Sequence, residues 1–375
     1  MVLRGNHSGG SGLFVVCPVL LSLALGAGLM PAVAGQSTPT NRRSASSPID
    51  QFMKEGQDLA AQGRFAEAEV PLKQAAELAP ENYAVLTLLG KVEGRLRKQA
   101  DAIALFRRVV SGQPKMTDAH ENLAIALADA GDLEEALKET STAISLSPKL
   151  VSAHLNRARL LADLHRPEEA EEEFAATHQL APDDPDCLFY WALLERDRGN
   201  LEKQASLFQQ VVHLQPDNLT ALLLLAQSLQ RERKDAETIA VLRRMLQLKP
   251  DSENALYMLS MELRRTDPEE SKKLQQDFEA QKRKEAALAQ VKSLGMEAYQ
   301  AANKRDWPEA IRILKKALES CEDCALAAAL HKNLGLALCS NGNLDQGKQE
   351  LQEALKLNPN DPDVVKALNV VAQKQ

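Results

Sequence analysis

Apolar residues return along this chain at two spacings, one within each helix and one between repeated units. From residue 49 to residue 265 they recur every three to four positions, as on the buried face of an amphipathic helix. Small and bulky side chains also return every 34 residues. The small set is Gly56, Gly90, Ala124, Ala158, Ala192, Ala226 and Ser260. The bulky set is Leu72, Phe106, Phe174, Phe208 and Leu242, with Thr140 at the position between Phe106 and Phe174. A constant period of this length indicates an array of helical repeats.

Prolines and turn residues mark the boundaries of these units. The prolines are Pro80, Pro114, Pro148, Pro182, Pro216 and Pro250. Gly63, Gly131 and Gly199 each divide a unit in two, where glycine can adopt the left-handed conformation that ends a helix. Asn82 and Asp184 follow two of the prolines, and their side chains can accept hydrogen bonds from the first amides of the next helix. Each unit is therefore predicted to be two helices joined by a tight turn.

One unit, residues 83–116, carries a family pattern in full. Its residues are Leu86, Leu89, Gly90, Ala102, Phe106 and Pro114. This pattern resembles the tetratricopeptide repeat (TPR), a helix-turn-helix unit. The resemblance implies an all-α fold, a right-handed TPR-type α-solenoid of helix-turn-helix repeats. It places six full repeats at 49–82, 83–116, 117–150, 151–184, 185–218 and 219–252.

The pattern changes after the sixth repeat. Residues 253–265 continue as the first helix of another unit, so the N-terminal array is predicted to span 49–265. Lys272 and Glu279 then occupy positions where small residues are expected. We therefore interpret 266–290 as a charged helical spacer. Apolar phase returns in 291–324 and 328–361, and residues 362–375 are apolar along one stripe. Residues 291–375 are predicted to be a C-terminal TPR pair with a capping helix, which terminal repeats require.

The N-terminus is predicted to direct the protein out of the cytoplasm. Residues 1–34 contain Arg4, an apolar run from Leu13 to Leu29, and small residues before Gly35. This order is typical of a secretory signal peptide, with cleavage after Ala34 and a secreted or periplasmic product. The alternative is a membrane anchor formed by residues 13–29, which would be the only contact with a membrane. Residues 35–48 are polar and are expected to be a flexible linker.

Charge and motif content favour binding over catalysis. The chain has a formal net charge of −7 and no basic stripe, which argues against a nucleic-acid partner. No nucleophile, base and acid set typical of an active site is present, so we expect no enzyme activity and no cofactor. His120, His154 and His331 share the fourth position of their repeats. A metal site at His120 and His154 is one interpretation, and packing imidazoles without a metal are the other, which we favour.

Cysteines offer one further chemistry. Cys187, Cys321, Cys324 and Cys339 follow the predicted signal peptide. In an exported protein, Cys321 and Cys324 are expected to form a local disulfide. A redox-active pair is the alternative, which would make the protein a thiol oxidoreductase, but the pair lacks the strand-to-helix setting that such pairs use.

The resemblance also implies a binding surface on the first helices of the repeats. In TPR proteins, positions 2, 5, 6, 9, 12 and 13 of each repeat tend to face a concave groove, and we call these the groove positions. Here they predict a peptide-binding groove that includes Leu155, Arg159, Phe189, Tyr190, Leu193, Arg196, Leu223, Gln227, Arg231, Tyr257, Met261 and Arg264. Consecutive leucines from Leu222 to Leu225 support this, because neighbours on a helix point about 100° apart and cannot all enter one core.

Three functions remain open from the sequence. The first is a non-enzymatic protein-protein interaction scaffold that binds a partner protein or peptide in the groove. The second is an assembly or carrier subunit of an exported complex that acts through its ends. The third is the thiol oxidoreductase. The groove residues could instead pack against a 267–290 helix folded back into the concavity.

Overall fold

Helices account for nearly all of the part of the chain that the structure describes. The computed structural model describes residues 47–321 and 324–374. The predicted signal peptide, and the predicted linker up to residue 46, lie outside these ranges. Helices and turns fill the described residues, and no strand occurs in them. The prediction of an all-α solenoid is confirmed.

The first compact unit, described from residue 47 to Ser271, holds thirteen helices and the start of a fourteenth. They are α1 (Pro48–Ala61), α2 (Phe65–Leu78), α3 (Tyr83–Arg95), α4 (Gln99–Gly112), α5 (Thr117–Ala130), α6 (Leu133–Leu146), α7 (Val151–Asp163), α8 (Pro167–Leu180), α9 (Pro185–Arg198), α10 (Leu201–Leu214), α11 (Leu219–Arg231), α12 (Asp235–Leu248), α13 (Glu253–Leu263) and α14 (Pro268–Asn303). From α1 to α13 each helix packs on the next. First helices of successive repeats also touch, as α5 touches α7 and α7 touches α9.

Polar side chains cap the N-termini of several of these helices, as the sequence predicts. The amides of Ala84 and Val85 donate to Asn82 Oδ1, and those of Asp186 and Cys187 donate to Asp184 Oδ1. These contacts satisfy amides that have no partner inside the helix. Both helices therefore start at the residue that the sequence marks.

A left-handed residue ends the first helix in most repeats. Glycine takes this place at Gly63, Gly131, Gly199 and Gly342, with φ between 75° and 92°. In other repeats the same place is taken by Arg97, His165, Arg233 and Arg305, with φ near 60°. A side chain in this conformation costs about 1–2 kcal/mol relative to glycine. The turn geometry is therefore kept even where the sequence does not favour it.

Small residues on first helices face bulky residues on second helices. A Cβ atom on Gly56 would lie 2.5 Å from Leu72 Cγ, and one on Gly90 would lie 2.8 Å from the ring of Phe106. Ala158 and Phe174, and Ala192 and Phe208, are buried at the same positions. These pairs set the distance between the two helices of each repeat.

The second compact unit is described from Lys272 to residue 374, with a gap at residues 322–323. It contains most of α14, followed by α15 (Trp307–Glu319), α16 (Ala327–Ser340), α17 (Leu344–Leu357) and α18 (Pro362–Lys374). Val291, Leu294 and Ala298 of α14 share a core cluster with Ile313 and Leu314 of α15. Cys321 and Cys324 form a disulfide in the connection between α15 and α16, with their Cα atoms 5.2 Å apart.

Helix α14 joins two segments that the sequence analysis separates. It runs for 36 residues through the spacer and through the first helix of the repeat at 291–324. Residues 275–290 contain no buried residue, whereas Val291 and Leu294 are buried. The spacer and the repeat are therefore continuous in backbone and differ in packing. Neither α14 nor any other helix in the described ranges is apolar enough over a sufficient length to cross a membrane.

Candidate functional site

The groove positions of α7 and α9 form a cluster of aromatic and cationic side chains. The ring of Phe189 meets the ring of Tyr190 at 5.7 Å between centroids, in an edge-to-face arrangement. The guanidinium carbon of Arg159 lies 4.2 Å from the centroid of the Tyr190 ring. This cation–π contact joins the first helices of two successive repeats. All three are residues that the sequence analysis assigns to the groove.

The side chains of this cluster pack against two adjacent hydrophobic cores. Tyr190 and Leu155 pack against the core formed by α7, α8 and α9. Phe189 and Leu193 pack against the core between α9, α10 and α11, where the Phe189 ring lies 5.6 Å from that of Phe208. Because these side chains are half-buried, each contributes to packing and also presents part of its surface.

The run of leucines on α11 divides between core and surface. Leu222 and Leu225 are buried, whereas Leu223 and Leu224 are half-buried. Leu224 packs against the core between α9 and α11. The sequence argument that four successive leucines cannot share one core agrees with this division. Gln227, one turn after Leu223, is also half-buried.

Helix α13 carries two exposed apolar groove residues. The relative exposure of Tyr257 is 51% and that of Met261 is 41%. Arg264 directly follows the helix and is exposed, as is Arg231 at the end of α11. Tyr257, Met261 and Arg264 are spaced by four and three residues, so they lie on one stripe.

Two ionisable groove residues interact with nearby charges. Arg196 on α9 forms an ion pair with Asp197 at 2.9 Å. Desolvation raises the pKa of the Asp163 carboxyl at the end of α7, and the nearby charge of Arg159 opposes this shift. The groove positions of α7 and α9 therefore hold charges of both signs.

Models of one protein family match most of this array. A model described as "Tetratricopeptide repeat" matches residues 53–117, 87–151, 121–185, 155–218 and 189–253. A second model with the same description matches residues 328–361. The chain belongs to the tetratricopeptide-repeat family.

Solved structures similar to this chain include other TPR proteins. A TPR protein of Parabacteroides merdae ATCC 43184 is 17% identical, with a TM-score of 0.45, and the match covers 87% of this chain and 100% of that one. A thermophilic TPR protein of Thermus thermophilus is 21% identical, with a TM-score of 0.43 and coverage of 48% and 99%. PilF of Pseudomonas aeruginosa is 18% identical, with a TM-score of 0.48 and coverage of 57% and 97%. No curated protein matches the sequence.

The histidines of this TPR chain at the fourth repeat position each bind a glutamate of their own repeat. His120 Nδ1 lies 2.6 Å from Glu139 Oε2, and His331 Nδ1 lies 2.6 Å from Glu350 Oε2. His154 contacts Glu173 in the same way. Each pair is separated by 19 residues, so the same contact recurs in three repeats. Within residues 47–321 and 324–374, no group of three metal-binding side chains is present.

The positions of the histidines alone do not identify the glutamates that they contact. In the repeats with an apolar residue at the fourth position, the partner position 19 residues later is also apolar. Leu105 packs against the core cluster that contains Leu86, and Leu188 and Leu207 share another. Comparing repeats at both positions together would have found the pairing. The imidazoles are therefore part of the packing between the two helices of a repeat.

Two buried glutamates form ion networks that the sequence analysis also missed. Glu195, with 1% exposure, pairs with Lys203 at 2.8 Å and accepts a hydrogen bond from Trp191 Nε1. Glu93 occupies the same place in its repeat and lies 3.4 Å from Lys73 Nζ. Glutamate at the eleventh position of both repeats is the sequence signal. These networks join neighbouring helices.

The cysteines differ in accessibility. Cys187 is buried, and desolvation followed by the charge of Asp184 raises the pKa of its thiol to about 12. A thiol in this state is a poor nucleophile at neutral pH. Cys321 is buried and Cys324 is half-buried, and the two form a disulfide.

Proposed function

We propose that this chain is a non-enzymatic scaffold that binds a segment of a partner protein across the first helices α7, α9, α11 and α13. TPR arrays are protein-protein interaction scaffolds, and solenoids of this kind use extended surfaces for binding. The observation that carries the assignment to this surface is that groove positions hold exposed Tyr257 and Met261 on α13 and the half-buried aromatic pair Phe189 and Tyr190 on α9. Aromatic and methionine side chains are enriched in the cores of protein interfaces.

A matched pair of variants tests the proposal. The groove variant is L223S/Y257S/M261S. The control is L146S/L180S, which removes two exposed leucines from the ends of second helices. Both proteins, and the unchanged chain, are used for affinity capture from cells of the source species, after circular dichroism has shown equal helicity. A partner retained by the unchanged chain and by the control, but lost by the groove variant, is the expected result. Equal retention by all three would contradict the proposal.

A second candidate function uses the exposed stretch of α14. Residues 275–290 lack any buried residue, and a polar helix of this length can present a long surface to another protein. In this case the chain would be an assembly or carrier subunit that acts through α14 and its last repeats. Cross-links to the partner that map to 267–290 and 328–361, with none on α7, α9, α11 or α13, would favour it.

Export belongs to the same proposal. It is supported by the apolar run from Leu13 to Leu29, by the small residues before Gly35, and by the Cys321–Cys324 disulfide, which persists in oxidising compartments. N-terminal sequencing of the protein from its source should give Gly35 as the first residue. A chain that keeps residues 13–29 and sediments with membranes would identify the anchor instead.

A further inference from the structure

The charged groove positions at the end of the N-terminal array are all arginines. On α11 and at the end of α13 they are Arg231, Arg264 and Arg265, and none of the groove residues there is acidic. All three arginines are exposed. In the described part of the chain, no carboxylate lies within ion-pair distance of any of them, nor does any of them donate a side-chain hydrogen bond to an acceptor.

Arginines on the second helices behave differently. Arg107 pairs with Glu135 at 2.8 Å, Arg243 with Glu270 at 2.7 Å, and Arg312 with Glu309 at 2.6 Å. Two more, Arg108 and Arg244, donate to the carbonyls of Pro80 and Pro216. Each arginine of α4, α12 and α15 therefore has an acceptor, although the protein is acidic overall, with a formal charge of −7. Arg231, Arg264 and Arg265 lack such acceptors among the described residues, so their guanidinium groups are available to a partner.

Apolar groups lie beside these cations. Tyr257 and Met261 precede Arg264 on the same stripe of α13, and Leu223 lies two turns before Arg231 on α11. A ligand for this surface would place apolar side chains on the tyrosine, methionine and leucine, and carboxylates on the guanidinium groups. Guanidinium binds carboxylate through paired, charge-assisted hydrogen bonds, and complementary charge also speeds association.

We propose that the segment bound by α11 and α13 is an acidic stretch of polypeptide with aromatic or aliphatic anchors, held by its side-chain carboxylates. This inference rests on the proposed function, and it names the chemistry of the partner at the same surface. It also distinguishes the site from one that holds a chain terminus, because three separate arginines match several side-chain carboxylates along a segment.

Selection of peptides on the full chain tests the inference. A displayed library of random peptides, with both peptide ends blocked, is selected on the unchanged protein. We expect enrichment of sequences that combine Asp or Glu with Phe, Tyr, Trp or Leu. Affinities of the enriched peptides, measured by fluorescence anisotropy, should fall as salt increases, since exposed charges are screened.

Two triple variants with the same charge change serve as test and control. R231Q/R264Q/R265Q removes the groove arginines, and R107Q/R243Q/R312Q removes paired arginines of second helices. The first should weaken binding of the acidic peptides by about tenfold or more, and the second should leave it unchanged. Acidic peptides that bind both variants equally would overturn the inference.

The remaining outcomes separate this inference from the proposed function. Enrichment of neutral or basic peptides whose binding is lost in L223S/Y257S/M261S would overturn the acidic partner and leave the groove function standing. A selection that enriches no peptide above the level of L223S/Y257S/M261S would overturn both.

Discussion

Two neighbouring repeats, 83–116 and 117–150, build the same pair of helices from different contacts. In 83–116, Leu86 and Leu105 meet in an apolar cluster, and Arg108 donates to the carbonyl of Pro80. In 117–150, His120 binds Glu139 through one ring nitrogen and lies 3.0 Å from the Pro114 carbonyl through the other. The fold therefore accepts either an apolar pair or a hydrogen-bonded pair between the two helices, provided that both members change together.

The turns of these two repeats differ as well. Arg97 ends α3 with φ of 63°, and Gly131 ends α5 with φ of 92°. A Cβ atom on Gly131 would meet nothing within 4 Å, so any cost of a side chain there comes from the backbone alone. Packing pairs and turn residues are separate differences, and each can be tested by exchanging residues between the repeats.

The largest loss of stability is expected when a histidine is introduced into the repeat 83–116 without its glutamate partner. Leu86→His puts an imidazole in a site with 1% exposure, opposite Leu105, and removes an apolar contact. The loss of packing and the unpaired polar group should together cost about 3–5 kcal/mol. L86H/L105E should recover part of this loss. Shifts in the urea midpoint, with hydrogen exchange of the α3 and α4 amides, measure the effect; equal losses in both variants would refute the pairing rule.

A smaller loss of stability is expected when the histidine of the natural His120–Glu139 pair is removed. His120→Leu leaves the Glu139 carboxylate and the Pro114 carbonyl without the imidazole. Breaking a buried pair costs about 3–5 kcal/mol, and because Glu139 is partly exposed we expect about 2–3 kcal/mol. H120L/E139L should be more stable than H120L. The same denaturation and exchange measurements on α5 and α6 check this order, and the opposite order would show that the two residues act independently.

The smallest effects are expected at the turns. Gly131→Ala forces a side chain into the left-handed conformation and should cost about 1 kcal/mol. Arg97→Gly relieves the same strain, but it also increases the conformational entropy of the unfolded chain. The two effects oppose each other, so the free energy of unfolding should change by less than about 1 kcal/mol. Thermal midpoints of the two variants, with Arg108→Ala as a reference for a surface contact, provide the measurement. A larger loss for R97G than for G131A would mean that Arg97 makes a contribution beyond its backbone.

Much of the fold follows from the sequence because the relevant interactions are local. The 34-residue period, the prolines and the capping residues Asn82 and Asp184 locate helices to within a few residues. The disulfide between Cys321 and Cys324 involves residues three apart, and its short loop is visible in the sequence. The length of α14 was harder to predict, since the charged spacer and the apolar repeat differ in composition but not in backbone conformation.

The sequence predicts which positions would form the candidate site, but it does not predict their contacts. The place of a residue in the repeat predicts that it belongs to the groove, and the structure shows its neighbours: Arg159 over Tyr190, Phe189 against Phe208, and Arg196 beside Asp197. Each of these contacts except the last joins different helices. Residue spacing alone does not state which side chains on two helices meet.

The sequence by itself determined the number, order and ends of the helices in the TPR array, because helix formation and capping depend on residues within one or two turns. The tertiary structure decided which apolar residues stay exposed, which glutamate each histidine binds, and which arginines of the described chain lack an acceptor. These properties depend on the distance and angle between helices, which arise only when the small and bulky faces of successive helices pack together.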